Sequence, residues 1–143
     1  DSIAFIANYL WRESIKNLHM HLTEAEIKKF SSNDYYYLTT IYYMGKPNFS
    51  QVAEALNLTK PAVSAIIRKL SKMGLIEKIQ SQEDKRVYYV SVTEKGKNIV
   101  EGDEKLYKKI DLQIKECLGS DHKYEFLETL LAVIVRYLQK TDR

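Results

Sequence analysis

The sequence predicts a mainly α-helical protein of the α+β class, in which two short helices precede a two-stranded hairpin and longer helices lie at both ends. Three patterns indicate this arrangement: a helix-turn-helix from Ser50 to Leu70, alternating strands at 75–79 and 86–92, and amphipathic helical segments on either side. A hairpin that directly follows a helix-turn-helix is a wing. The predicted fold is therefore a winged helix-turn-helix with N- and C-terminal helical arms.

Composition limits the class of protein. A chain of 143 residues with 45% hydrophobic and 11% aromatic side chains can form a folded domain with its own core. No apolar run is long enough to span a bilayer, and Asp1 to Leu10 lacks the features of a signal peptide. A single cysteine, Cys117, cannot form an internal disulfide. We therefore predict a cytoplasmic protein with no membrane partner.

The charge distribution favours an anionic partner for the middle of the chain. The net charge is only +3, but residues 46–97 carry ten lysines and arginines against five acidic residues. The remainder carries twelve basic and fourteen acidic residues. A basic centre between acidic ends is typical of nucleic-acid binding, although a solvated surface gives the same distribution.

The N-terminal segment, Ser2 to Leu22, has the apolar periodicity of an amphipathic helix. Phe5, Tyr9 and Trp11 add bulky side chains to it, and covering them requires more than one neighbouring element. The following Thr23-Glu-Ala-Glu26 is a capping box, which predicts a short turn of helix.

The next predicted helix runs from Asn33 to Met44, with Ser31 or Ser32 as its N-cap and Gly45 after its last turn. This helix is rich in tyrosine, at Tyr35, Tyr36, Tyr37, Tyr42 and Tyr43. Because tyrosine is apolar along its ring and polar at its tip, such a cluster could line a pocket for an amphipathic or aromatic ligand. The simpler interpretation of any single tyrosine is a core or surface role.

The helix-turn-helix has recognisable starts and turns. Ser50 is the predicted N-cap of its first helix, and Thr59 caps the second, where Pro61 occupies the first turn. The second helix has an apolar stripe that must pack inward, consisting of Val63, Ile66, Ile67 and Leu70.

The opposite face of this second helix carries small side chains near its N-terminus and basic side chains further along. Its members are Pro61, Ser64, Ala65, Arg68 and Lys72. Small side chains allow the helix to approach base edges in a major groove, while Arg68 and Lys72 can reach a base or phosphates. An ordinary helix pair with a solvated basic face would show the same pattern.

The tip of the wing is charged, with Glu83, Asp84, Lys85 and Arg86. An arginine on a thin hairpin can enter the narrow minor groove of an A·T-rich site, and Asp84 could orient the Arg86 guanidinium. Alternatively, Asp84 only closes the turn through the backbone and Arg86 remains solvated.

Two more helices complete the chain. Thr93 caps a long helix from Glu94 to about Leu118, Gly119 ends it, and a last helix extends to about Lys140. This helical hairpin is too apolar to be covered by the small winged lobe alone, so we predict that two chains dimerise through their terminal helices. The predicted organisation is a single domain at 1–143, with dimerisation helices at 1–30 and 94–143 and the DNA-binding lobe at 31–93.

Two segments resemble the MarR (multiple antibiotic resistance regulator) family. They are Leu58 to Lys78, LTKPAVSAIIRKLSKMGLIEK, and Asp84-Lys-Arg86 followed by Val92-Thr-Glu-Lys-Gly96. The family pattern D-x-R-x5-L-T is matched except that Val92 replaces leucine. The resemblance implies a homodimeric winged-helix transcription regulator, usually a repressor, that binds a palindromic operator and is released by a small ligand, metal or oxidant.

The resemblance also implies site residues. The major groove would receive Thr59, Lys60, Pro61, Ser64, Ala65 and Arg68, and the minor groove would receive Arg86, oriented by Asp84. Lys72 and Lys85 complete the candidate DNA-binding set. The family's ligand crevice lies between the arms and the DNA-binding lobe, and its candidate lining residues here are Tyr9, Trp11, Tyr36, Tyr37 and Tyr43.

Other functions are less favoured by the residues. The sequence has no glycine-rich phosphate loop and no G-x-S-x-G, so we predict that the chain is not an enzyme and needs no cofactor. Cys117 is interpreted as a small core residue rather than a redox sensor, and His19, His21 and His122 as surface residues rather than metal ligands. The alternative function is a winged-helix protein-interaction subunit of a larger assembly without DNA specificity of its own.

Overall fold

The computed structural model describes residues 2–141, and the side chains of residues 4–137. The helices are α1 Ser2–His21, α2 Glu24–Ile27, α3 Ser32–Met44, α4 Phe49–Leu56, α5 Lys60–Lys72, α6 Glu94–Leu118 and α7 Asp121–Thr141. The strands are β1 Ile76–Gln80 and β2 Tyr88–Val92. Residues 1, 142 and 143, at the ends of the predicted arms, lie outside the described residues. None of the described helices combines the length and apolarity needed to cross a membrane.

The chain divides into two compact units, Asp1–Glu104 and Lys105–Arg143. The first unit contains the winged helix-turn-helix, and its core confirms the predicted stripe of α5. Val63, Ile67 and Leu70 are fully buried, and Ile66 is half-buried. Their neighbours in the core come from other parts of the first unit and include Leu38, Ile41, Val52, Leu75, Val90 and Ile99. Burial of this stripe leaves the opposite side of α5 at the surface.

The wing is a two-stranded antiparallel sheet in which Ile76 pairs with Val92 and Gln80 pairs with Tyr88. The first strand begins and ends one residue later than predicted, and the second lies within its predicted range but is shorter. The backbone N–H of Val90 also donates a hydrogen bond to the Pro47 carbonyl at 2.9 Å. The wing is therefore attached through the middle of β2 to the loop that precedes α4.

The prediction that Ser50 caps the first helix of the helix-turn-helix is wrong. The cap is Asn48, whose side chain accepts a hydrogen bond from Gln51 N at 2.9 Å, while Gln51 Oε1 accepts one from Asn48 N at 2.8 Å. This reciprocal pair satisfies two backbone amides, so the helix begins earlier and Ser50 lies inside it. The other predicted caps are confirmed, at Thr23, Ser31 and Thr59.

The second unit consists of the C-terminal part of α6 together with α7, and Gly119 joins the two helices. Lys115 Nζ lies 2.9 Å from Asp121 Oδ1, and the Tyr124 hydroxyl donates to Asp111, which raises the pKa of Tyr124 to about 12. None of the described side chains from 105 to 137 is buried. Two helices alone cannot enclose a core, which is why Cys117 is exposed and its interpretation as a core residue is wrong for the single chain.

Candidate nucleic-acid interface

Helix α5 presents the face that the sequence pattern predicted. Thr59 Oγ1 accepts a hydrogen bond from Ala62 N at 3.4 Å, and Pro61 occupies the first turn. Pro61, Ala65, Arg68 and Lys72 lie on the outward side, and Ser64 is half-buried beside them. The accessible surface therefore carries small side chains near the N-terminus of the helix and basic side chains near its C-terminus, as a helix that enters a major groove requires.

Two clefts include residues of α5. One has a volume of about 280 Å³ and is lined by Asn48, Phe49, Ser50, Lys60, Arg86, Val87 and Tyr88. The other has a volume of about 390 Å³ and is lined by Arg68, Ser71, Lys72, Glu77 and Lys78. The first cleft brings Lys60 at the start of α5 together with Arg86 of the wing, although they are far apart in sequence. Basic side chains thus line clefts at the N-terminal start and in the C-terminal half of α5, and lysine and arginine are the residues that bind phosphates.

The wing tip is a turn closed by Asp84. Its Oδ1 accepts a hydrogen bond from the backbone N–H of Arg86 at 2.9 Å, whereas the Arg86 guanidinium Nε lies 3.9 Å from the same oxygen. The Arg86 side chain is 95% exposed. In the free chain Asp84 therefore acts mainly on the backbone, and Arg86 extends into solvent as the alternative interpretation described.

The strands of the wing make contacts with an aromatic residue of α4 that the sequence analysis missed. Phe49 of α4 lies against Tyr88 of β2, with ring centroids 6.5 Å apart, and Lys78 Nζ of β1 lies 5.4 Å from the Phe49 ring centroid. These contacts attach both strands to the helix-turn-helix. The available signal was Phe49, a large apolar residue next to the break at Pro47, but its partners are distant in sequence.

The predicted ligand-binding residues lie on α1 and α3. Trp11, Tyr36 and Tyr43 are exposed, and Tyr37 is half-buried against the core. The rings of Tyr36 and Tyr37 are 6.0 Å apart, while Arg12 lies over the Tyr9 ring at 5.4 Å. The Tyr43 hydroxyl donates to Glu104 Oε1 at 2.5 Å and so links α3 to α6. These contacts do not test the predicted ligand crevice, which stays a prediction.

The described residues contain no group of three or more histidine, cysteine, aspartate or glutamate side chains that could hold a metal ion. His122 Nδ1 lies 4.0 Å from Glu125 Oε2, on the exposed surface of α7. The candidate site is therefore built from charged and small side chains of α5 and the wing.

Comparison with known proteins now identifies the lobe that carries this site. Residues 30–88 match the model of the MarR family. This match extends from the start of α3 to the beginning of β2, so it includes the whole helix-turn-helix and the wing tip.

Curated relatives agree with this match, and solved structures agree with the fold. The HTH-type transcriptional regulator BilQ of Clostridioides difficile is 29% identical over 74% of this chain and 71% of its own length. PchR of Bacillus subtilis, also an HTH-type transcriptional regulator, is 33% identical over 61% of this chain, and the match spans about half, 55%, of PchR. This chain is similar in structure to a mutant of MepR from S. aureus, with a TM-score of 0.69 at 19% identity and coverage of 95% and 92%.

A second structural neighbour is Streptococcus pneumoniae FabT in complex with DNA, with a TM-score of 0.64 at 18% identity and coverage of 98% and 96%. The structural neighbours confirm the winged-helix fold. The relatives named here are transcriptional regulators, so the prediction that this chain is not an enzyme is confirmed.

Proposed function

We propose that this chain is a member of the MarR family and a sequence-specific regulator of transcription that binds double-stranded DNA. The observation that carries the proposal is the common exposure of the small-then-basic face of α5 and of Arg86, whose cleft also contains Lys60. A groove-bound helix and a wing that reaches the neighbouring groove require this combination on one surface. FabT and MepR, which are similar in fold, have each been solved in complex with DNA.

Each residue of the surface then has a role. Thr59, Lys60, Pro61, Ser64 and Ala65 lie at the start of α5 and would approach base edges or the adjoining backbone. Arg68 would contact a base or phosphate, and Lys72 and Lys85 would contact phosphates. Arg86 would enter the minor groove, with Asp84 shaping the turn that presents it.

We expect the affinity for duplex DNA to fall steeply as the salt concentration rises. The slope of log affinity against log salt concentration should be about −0.9 for each phosphate contact. Arg68→Ala should weaken binding to a selected site by roughly 10-fold, because one base or phosphate contact is lost. Fragments selected from the source genome supply the site, and fluorescence anisotropy across a salt series supplies the slope.

Lys108→Ala is a suitable control, because Lys108 is an exposed lysine of α6 in the other unit. It should leave both affinity and slope unchanged. Binding that is absent or independent of salt contradicts the proposal and favours the alternative, a winged-helix subunit that contacts only proteins.

The active form is proposed to be a homodimer. Large apolar side chains remain exposed in the single chain, including Phe5 of α1 at 72% and Phe126 of α7 at 64%. A second copy that covers these helices would place two recognition helices on half-sites about one helical turn, roughly 10 base pairs, apart on a palindromic operator. Sedimentation equilibrium at micromolar concentration should give the mass of a dimer, and a stable monomer contradicts this part of the proposal.

The regulator is further proposed to be a repressor that responds to a ligand. The tyrosines of α3 and the exposed Trp11 of α1 provide aromatic surface for an amphipathic compound. Such a compound would act by favouring one arrangement of the helical arms over another. A screen in which no aromatic or lipid-like compound changes duplex affinity argues against this response.

A further inference from the structure

Two lysines close to the recognition helix α5 are engaged with carboxylates instead of projecting freely from the surface. Lys69 lies within α5, and Lys95 lies in the first turn of α6. Lys69 Nζ is 2.5 Å from Asp34 Oδ2, and Lys95 Nζ is 2.9 Å from Glu26 Oε1. Both lysines belong to the basic centre of the chain, so a tally of charges counts them with the DNA-contacting residues.

The first contact joins α5 to the start of α3. Asp34 is only 3% exposed, and its Oδ2 also accepts hydrogen bonds from Ser31 N and Ser31 Oγ, both at 2.7 Å. Burial raises the pKa of the Asp34 carboxyl, but the hydrogen bonds from Lys69 and Ser31 outweigh this and hold it below its usual value. Asp34 is thus a fixed anchor, because the same carboxylate caps α3 and holds Lys69.

The second contact joins α2, α6 and the C-terminal end of α5. Lys95 Nζ donates to Glu26 Oε1 and also, at 3.0 Å, to the carbonyl of Met73, which is the C-cap residue of α5. Glu26 is the acidic member of the α2 capping box, and hydrogen bonds from Lys95 and then Thr23 lower its pKa to about 2. A lysine beside the last carbonyls of a helix also complements the helix dipole.

The two anchors share one design. In each, the acidic residue of a capping box on a neighbouring helix pairs with a lysine. Lys69 is itself a residue of α5, and Lys95 contacts α5 through the Met73 carbonyl. The apolar stripe of α5 fixes its depth in the core, but apolar packing is non-directional and allows small rotations about the helix axis. Directional ion pairs near the C-terminal half of α5 restrict that rotation.

We infer that Lys69 and Lys95 are positioning residues, which hold α5 at the angle needed to read base edges and do not themselves contact DNA. This inference rests on the proposed DNA-binding function. A paired lysine contributes little net charge to the interface, and Lys69 remains 42% exposed while its Nζ is bound to Asp34. By contrast, Lys72 of the same helix lines the cleft on the candidate DNA-binding side together with Arg68.

Lys69→Met and Lys95→Met test the inference, with Lys72→Met as the matched comparison on α5. Each full-length variant is titrated with a selected duplex and with a scrambled duplex of equal length across a salt series. We expect Lys69→Met and Lys95→Met to keep the wild-type salt slope but to lower the ratio of specific to non-specific affinity by roughly 10-fold, as loss of about one base contact would. Lys72→Met should reduce the slope by about 0.9 and leave the ratio largely unchanged.

Lys69→Arg provides a rescue, because arginine retains the charge and can still pair with Asp34. It should restore the affinity ratio. A slope that falls by about 0.9 in Lys69→Met or Lys95→Met shows a phosphate contact and overturns the inference. An unchanged ratio in both variants overturns it too, because the contacts would then serve stability alone. If the wild-type chain itself does not bind duplex DNA, the proposed function fails, and this inference fails with it.

Discussion

Replacing Gly96 with alanine is expected to destabilise the winged-helix unit by about 2 kcal/mol or more, even after a helix-propensity gain of roughly 1 kcal/mol. An added Cβ would lie 2.3 Å from the Leu75 carbonyl oxygen and 2.6 Å from Val92 Cγ1. The carbonyl cannot move freely, because it accepts the Thr93 backbone N–H at 3.0 Å. Urea unfolding followed by circular dichroism measures the loss.

Gly102→Ala also adds a methyl group within α6, but it is not a neutral comparison. There the Cβ would lie 2.3 Å from Asn17 Oδ1, and Asn17 is a buried side chain whose Nδ2 donates hydrogen bonds to the Ile99 carbonyl and to Asp103 Oδ1. Moving Asn17 aside would break these buried hydrogen bonds, so this variant should also lose stability. Equal stability of Gly96→Ala and wild type contradicts the backbone-clash explanation.

The Gly96 contact also explains part of the sequence motif. Thr93 Oγ1 accepts a hydrogen bond from Gly96 N at 3.2 Å and donates one to the Gly74 carbonyl at 2.6 Å. Thr93 and Gly96 thus bring the start of α6 directly against the end of α5 and the start of β1. The T-x-x-G spacing of the motif is a close-packing requirement at the base of the wing.

Features set by neighbouring residues could be predicted from the sequence. The Val63, Ile67 and Leu70 spacing placed one face of α5 in the core, and the alternation through Val90 and Val92 located β2. The site followed from these patterns, because a buried stripe determines which residues face outward. The predicted wing and the exposed face of α5 both agree with the structure.

Features that depend on distant partners could not be predicted. The sequence analysis did not single out Asp34, and only the fold places its Oδ2 2.5 Å from Lys69 Nζ. Asn48 and Ser50 are both good N-caps, and the choice of Asn48 depends on its reciprocal bond with Gln51 and on the wing pairing at Pro47. Cys117 illustrates the same limit, because an apolar stripe shows that a face needs covering but not whether the same chain covers it.

The other large effect concerns Arg86, whose replacement by alanine should weaken binding to a selected duplex by roughly 10- to 100-fold. Its side chain is 95% exposed and has only a long contact to Asp84, so the substitution should leave the free energy of unfolding of the DNA-free protein unchanged. Binding should lose its preference for A·T pairs where the wing enters the minor groove, because a narrow A·T groove is what attracts an inserted arginine. Anisotropy with matched duplexes that differ at those positions measures this preference.

Lys85→Ala separates groove insertion from simple charge, since Lys85 is the exposed neighbour of Arg86 on the same turn. It should reduce the salt slope by about 0.9 while the A·T preference persists. Asp84→Ala removes the acceptor of the Arg86 backbone N–H, so it should weaken the A·T preference without removing any positive charge. If Arg86→Ala and Lys85→Ala instead behave alike, Arg86 contacts only phosphates, and α5 alone must supply the sequence specificity.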